Sequence, residues 1–260
     1  MPESTTGPRT TGPRTAVGPV AGGLAAWATA WLSDRCSFDD VLDALAGERA
    51  HQVGGLPGTD GTLPLGPALV ALRGTGERRL RLGLPVPGDV RGLPRAPGLA
   101  ELALAAGEVA VGERVALVPV RSGVEVVEWT AVELPSALLT PAPVEGNLRA
   151  AAGALDLAIR DAARTLADLD LARWHPEVPA LITGLGARVV DPALPHDTDP
   201  VAVALLARAR RLALVLRLAA ADAPGGSVTG AQAASRDAAL RPLATAVREA
   251  LTAAYNAIPR

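Results

Sequence analysis

The chain contains no lysine; all 25 of its basic residues are arginine. Chemistry that needs an ε-amino group is therefore excluded, both Schiff-base formation and the lysine of a phosphate-binding P-loop. Cysteine is nearly absent. Cys36 stands alone among 260 residues, so no disulfide forms within the chain. It follows Arg35 and precedes a helix start, a setting that can favour a thiolate, but a buried or incidental thiol is the simpler expectation.

Aromatic residues are also scarce: Trp27, Trp31, Phe38, Trp129, Trp174 and Tyr255 are all there are. Only Trp27 and Trp31 cluster, which is too few for a base-stacking surface among basic residues. The three histidines, His51, His175 and His196, lack metal-ligand spacing from one another or from the cysteine. His196 with Asp197 and Asp199 reads as a capping loop rather than a cation site. Asp39, Asp40 and Asp43 suit the positive end of a helix dipole. No GxSxG elbow, GxGxxG fingerprint or P-loop occurs. Neither a metal nor a cofactor is expected.

No apolar run is long enough to span a bilayer. The opening "MPESTTGPRTTGPRT" lacks the basic and apolar regions of a signal peptide, so a cytoplasmic location is expected. The formal net charge of −2 gives no general pull toward nucleic acid or anionic lipid. Neither nucleic acid nor a membrane is the expected partner.

What the chain does have is alanine, leucine, valine, glycine, proline and arginine, a usage matching GC-rich codons and a high-GC bacterial source. Half of it is hydrophobic (49%), enough for one large or two ordinary domains. Glycine and proline are unevenly spread: residues 1–144 hold 35 of the 50. The expected organisation follows from that shift. Residues 1–18 form a disordered tail. Residues 19–135 form an α+β domain with a small, mainly antiparallel sheet, residues 136–144 a linker, and residues 145–260 an all-α bundle of three long helices plus a short one.

The signals behind this are local. "VAGGLAAWATAWLS" reads as a helix with Trp27 and Trp31 on one face. Ser37 caps a second helix. "PALVALRG" reads as a short helix or a strand, and "GLAELALAAGE" as a helix. "RRLRLGLPVPG" alternates like a half-buried strand, and "EVAVG", "RVALVPVR" and "VEVVEWTAVEL" read as three more. Beyond the linker, Leu148, Ala152, Leu155, Ile159, Ala162, Leu166 and Leu169 follow heptad spacing. Arg149, Asp156, Arg160, Arg164 and Asp168 lie opposite them as a solvated ion-pair ladder. Asp199–Pro200 starts the next helix, and Thr229 with Gln232 starts the last, which Pro242 interrupts.

The segment "LLARARRLALVLRL" poses a choice between a nucleic-acid reader and a core helix. On a helical wheel Arg208 borders one side of the apolar stripe, Arg210 and Arg217 border the other, and Arg211 stands apart. Charges so divided suit a core helix with its guanidiniums on the flanks.

The leading functional expectation is a non-catalytic interaction or scaffold protein, binding another protein or itself as a homo-oligomer. Its interface candidates are Trp27, Trp31, Leu148, Leu155, Ile159 and Leu166. The alternative is a small-molecule-binding protein or enzyme with a pocket between the two regions, where Arg79, Arg81 or His175 supplies polar contacts. Nucleic-acid binding comes third.

Overall fold

The computed structural model describes residues 19–46, 49–122, 126–135, 147–168, 194–221 and 230–257. The tail at 1–18, the linker, the Ser122–Gly123 turn, the short helix expected after Trp174, His175 and the Thr229 cap lie outside the described residues, wholly or in part.

The helices are α1 (Val20–Leu32), α2 (Phe38–Ala46), α3 (Leu65–Gly74), α4 (Leu99–Ala106), α5 (Leu148–Asp168), α6 (Pro200–Ala221) and α7 (Gly230–Asn256). The strands are β1 (Ala50–Gly54), β2 (Thr62–Pro64), β3 (Arg81–Gly83), β4 (Val109–Val111), β5 (Val115–Ser122) and β6 (Val126–Glu133). The molecule is thus α+β. Helix starts follow the expected chemistry. Ser37 Oγ accepts from Asp40 N at 3.0 Å while Ser37 N donates to Asp40 Oδ2 at 2.9 Å, a reciprocal cap on α2. Asp199 Oδ1 accepts from Val201 N at 2.8 Å with Pro200 in the first turn of α6.

The sheet has two strands, β1 and β2, beyond the four expected. It is mixed, with six strands in the order β2-β1-β6-β5-β4-β3. β1 runs parallel to β6, and the other pairings are antiparallel. β1 and β2 gave no alternating signal because they are short pieces set in a Gly/Pro-rich stretch. Their partners, not their own pattern, make them strands.

Both faces of the sheet are covered. Along β4 and β5, Ala110, Val115 and Leu117 point into the main core, whereas Val109, Val111, Ala116 and Val118 join a second cluster with Leu99 and Ala103 of α4. Alternate residues entering two apolar layers explain why β5 reads as a continuous hydrophobic run.

α1 carries no charge in "VAGGLAAWATAWL" and is buried from Ala21 to Leu32 apart from Gly23. A helix apolar on every side belongs inside. It packs against β3, β4 and β5 and also against α7. Its start is capped from afar: Ala21 N donates to Glu108 Oε2 at 2.8 Å, because Pro19 has no side chain able to do so.

α7 packs against both α5 and α6. The main core is therefore continuous through α1, the sheet, Leu155 of α5, Leu206 and Ala209 of α6, and Val247 and Leu251 of α7. The arginine-rich helix corrects the wheel in one respect. Arg211 and Arg217 are exposed and Arg208 pairs with Asp156 of α5, but Arg210 is buried, at 4% exposure. On the expected ladder of α5, the side chain of Asp168 lies outside the described residues. Arg164 pairs with Asp161, and Arg160 Nε donates to the backbone oxygen of Asp156 at 3.2 Å.

Glu77 is a second buried charge. Its carboxylate accepts the N–H groups of Glu113, Arg114 and Val115 at 2.8, 2.6 and 2.8 Å, fastening the β4–β5 turn. Gly112 makes room for it: a Cβ there would stand 2.6 Å from the carboxylate. Burial pushes the Glu77 carboxyl up in pKa, and the three N–H donors oppose that shift.

Candidate functional site: an arginine-lined cleft

A cleft of about 550 Å³ opens between the β3 edge, the loop after it, the start of α5 and the last turns of α7. Each wall has a sequence reason to be there. Arg79 and Arg81 occupy the polar phase of the alternating "RRLRLG" stretch, opposite the buried Leu80 and Leu82. Arg248, Thr252 and Asn256 recur at helical spacing and so share one face of α7. Ala150, Ala151 and Ala154 form a smooth wall on α5.

Hydrogen bonds hold these walls in register. Asn256 Oδ1 accepts from Leu82 N at 2.8 Å, and Asn256 Nδ2 donates to Leu82 O at 3.0 Å. One amide side chain thus stands in for a neighbouring strand at the sheet edge. Arg79 donates to the backbone oxygen of Asn256, placing a cation at the carbonyl end of α7. Arg248 Nη1 donates to Leu84 O at 3.2 Å and Arg248 Nη2 to Asp89 Oδ2 at 2.8 Å. Arg91 grips Asp89 with two bonds of 2.8 Å and reaches Glu249 Oε1 at 3.0 Å. The guanidinium of Arg91, then that of Arg248, holds the Asp89 carboxyl well below the usual carboxylate range.

The lining carries four arginines, Arg79, Arg81, Arg91 and Arg248, and two carboxylates, Asp89 and Glu249. The start of α5 also lines the cleft. Asn147 Oδ1 already accepts from Arg149 N and Ala150 N, at 3.0 and 3.3 Å, so that end contributes its dipole. Leu82, Leu84, Val111 and the alanines supply the apolar part.

Of the residues singled out in the sequence, Arg79 and Arg81 line the cleft, His175 lies outside the described residues, and the described interface candidates fall elsewhere. Trp27 and Trp31 are buried in α1, at 4% and 7% exposure. Trp31 packs its ring 5.4 Å from that of Phe38 and lies under the Arg73 guanidinium at 4.4 Å. Leu155 is fully buried, and Leu148 and Ile159 pack against the same core. The backbone of Leu166 lies in α5, and its side chain is outside the described residues. Trp27, Trp31, Leu148, Leu155 and Ile159 serve the chain's own interior.

Cys36 is half-buried. Burial raises its thiol pKa first, with Asp40 and Asp197 adding to the rise and Arg35 opposing it. Arg35 is engaged with Asp197, so the arginine expected to favour a thiolate is shared with a carboxylate. His51 accepts a hydrogen bond at Nδ1 from Trp129 Nε1 at 3.1 Å, and burial lowers its pKa. It is a neutral structural partner. Among the described residues no group of three His, Cys, Asp or Glu could hold a metal, and no helix is long and apolar enough to cross a membrane.

The sequence pointed to Arg79 and Arg81 but not to Asp89, Arg91, Arg248 or Asn256. The Arg248–Thr252–Asn256 stripe was available as a signal, one polar row beside the apolar seam of α7. Nothing local ties Asp89 to Arg248, which lie far apart in sequence.

The fold and cleft define an α+β protein whose C-terminal helices close an arginine-rich recess against the edge of a mixed sheet. Two family models match it. The Rv1486c-like protein N-terminal domain matches residues 21–145, and the Rv1486c-like protein C-terminal domain matches residues 149–252. The chain belongs to the Rv1486c-like family. It is 33% identical to "Uncharacterized protein Rv1486c" of Mycobacterium tuberculosis strain ATCC 25618 / H37Rv, over 90% of this chain and 95% of that protein. The same figures hold for "Uncharacterized protein MT1533" of Mycobacterium tuberculosis strain CDC 1551 / Oshkosh. These relatives are bacterial, in keeping with the GC-rich residue usage. No solved structure matches the chain.

Proposed function

We propose that this protein binds a small molecule in the cleft between the β3 edge and helices α5 and α7. The observation that carries the reading is convergence: polar groups from β3, its following loop, α5 and α7 meet around one recess with an apolar wall. Its volume of about 550 Å³ suits a ligand of ordinary metabolite size. Guanidiniums, amides and one hydroxyl hold and orient a ligand, and both lining carboxylates are tied to arginines. The site is read as one for binding. Five of the six residues behind the interaction role, Trp27, Trp31, Leu148, Leu155 and Ile159, pack in or against this fold's own core, which favours the cleft reading.

Native mass spectrometry of gently purified protein tests it, with Ala150→Trp as a plug. Ala150 is exposed on the cleft wall, so the larger side chain fills the recess and not the core. A reproducible extra mass on the wild type, lost in the plugged variant, is expected. A bare wild-type mass, together with no thermal shift across a metabolite panel, would overturn the reading.

A further inference from the structure

We infer that residues 86–92 form a flap over the cleft, latched to α7 through Asp89 and Arg91, and that this latch sets access to the site; this rests on the cleft-binding reading above. Asp89, Arg91 and Gly92 line the cleft, so the segment is one of its walls. Both of its ends are anchored. Leu84 packs against the main core and Pro85 is buried on one side, while Leu93 packs against the cluster beneath α4 on the other. Between these anchors Val86 and Val90 are exposed, and neither joins an apolar cluster. The segment is nevertheless stiff within itself. Val86 N donates to Asp89 O at 3.0 Å and Asp89 N to Val86 O at 2.8 Å, across Pro87 and Gly88. Gly88 has φ 84°, the left-handed value that a turn with proline before it requires. Leu93 N donates to Val90 O at 3.1 Å across a second turn, with Gly92 at φ 85°. A stiff tip between two anchors moves as one body.

The ties of this tip to α7 are ionic. Arg248 donates to Asp89 in a mostly covered pair, and Arg91 donates to Glu249 in a pair open to solvent. Apolar burial would hold the tip at any ionic strength, whereas exposed charge pairs are individually weak and are screened by salt. Arg248 also donates to Leu84 O at 3.2 Å, so one guanidinium spans the anchor and the tip. Releasing Asp89 frees the tip while Leu84 stays in place. A wall that swings in this way admits a ligand when open and sequesters it when closed.

Two assays that use no ligand test the flap. The chain has no lysine, so trypsin cuts only after arginine, and Arg91–Gly92 is the one such bond within residues 86–92. Its rate of cutting under native conditions, read by mass spectrometry, follows the open population. Asp89→Asn is expected to raise that rate about tenfold. Glu249→Gln, a change at an exposed position outside the core, is expected to raise it about threefold. For access, Thr252→Cys in a Cys36→Ser background places the chain's one thiol on the cleft wall, where neutral N-ethylmaleimide reads it. Labelling is expected to quicken with either latch substitution and with salt raised to about 0.5 M. In the Asp89→Asn, Glu249→Gln double variant the effect of salt should vanish.

Cutting and labelling rates equal in the wild type and both latch variants would overturn the flap. So would faster cutting with unchanged labelling, because the tip would then move without gating the cleft. Either result alongside a native mass adduct that Ala150→Trp removes leaves the binding reading intact. Labelling that follows the latch supports the gate, and a bare native mass in that case counts against the binding reading alone.

Discussion

Tyr255 shows what a single residue meets when this chain folds. It is buried against α1, and Gly22 allows the approach: a Cβ there would stand 2.7 Å from the ring. Burial pushes the phenol up to about 12 from its ordinary 10.0, with the Glu108 charge adding to the rise and Arg210 offsetting part of it. A raised folded-state value has a definite sign. The stability it contributes is fully present below pH 10.0 and is lost as the pH rises toward about 12, because the unfolded chain releases that proton first. This is the chain's only tyrosine, so tyrosinate absorbance reports it alone. The expected titration is a single step near pH 12 in the folded protein, moving to about 10 in denaturant. A step near 10 in the folded protein would mean that the ring is not held in the core. None of this was legible in the sequence, where Tyr255 is one more residue of an alanine-rich helix. The cause lies in Gly22, Glu108 and Arg210, all distant in the chain.

At the scale of the element, α1 is the clearest case of sequence specifying structure, and of its limits. Its uncharged "VAGGLAAWATAWL" fixes both helix and burial. What the stretch does not contain is its own cap, which comes from Glu108. Glu108→Ala is therefore expected to cost about 1–3 kcal/mol, since it unpairs a buried helix-start N–H and disturbs the charged surroundings of Arg210 and Tyr255. Urea denaturation measures it. A loss below about 0.5 kcal/mol would mean that α1 is held by packing alone. Elements with a strong internal pattern were legible: α1, α2, α4, β4, β5, β6, α5, α6 and α7. Those made by their neighbours were not. β1 and β2 take their conformation from β6 and from each other, and "AHQVG" and "TLP" carry no apolar alternation of their own. The cleft divides in the same way. Arg79 and Arg81 stand out in an alternating strand, whereas Arg248 and Asn256 matter only because α7 returns to β3 after some 170 residues, the separation of Asn256 from Leu82 being 174.

At the scale of the molecule, composition divides the chain near residue 144, and the family models divide it between residues 145 and 149. The packing runs across that division. One apolar cluster includes Leu24 and Trp27 of α1, Leu117 and Trp129 of the sheet, Leu155 of α5 and Val247 of α7. Neither half can bury its share of that surface without the other, so unfolding is expected to be a single cooperative transition. Calorimetry checks it: the calorimetric and van't Hoff enthalpies should agree, and two resolved transitions would show that each half folds alone. Asn256→Ala probes the seam more finely. It removes both bonds to the Leu82 backbone, leaving an N–H and a C=O of the sheet edge unpaired where water reaches only part of the site. A cost of about 1–3 kcal/mol is expected, together with faster amide exchange at Leu82 and in the last turns of α7. The same bonds set the width of the cleft, so ligand binding should weaken in this variant along with stability. Were stability to fall with binding untouched, Asn256 would be a fastener remote from the ligand and the recess would keep its shape by the arginine contacts of Asp89 and Leu84 alone.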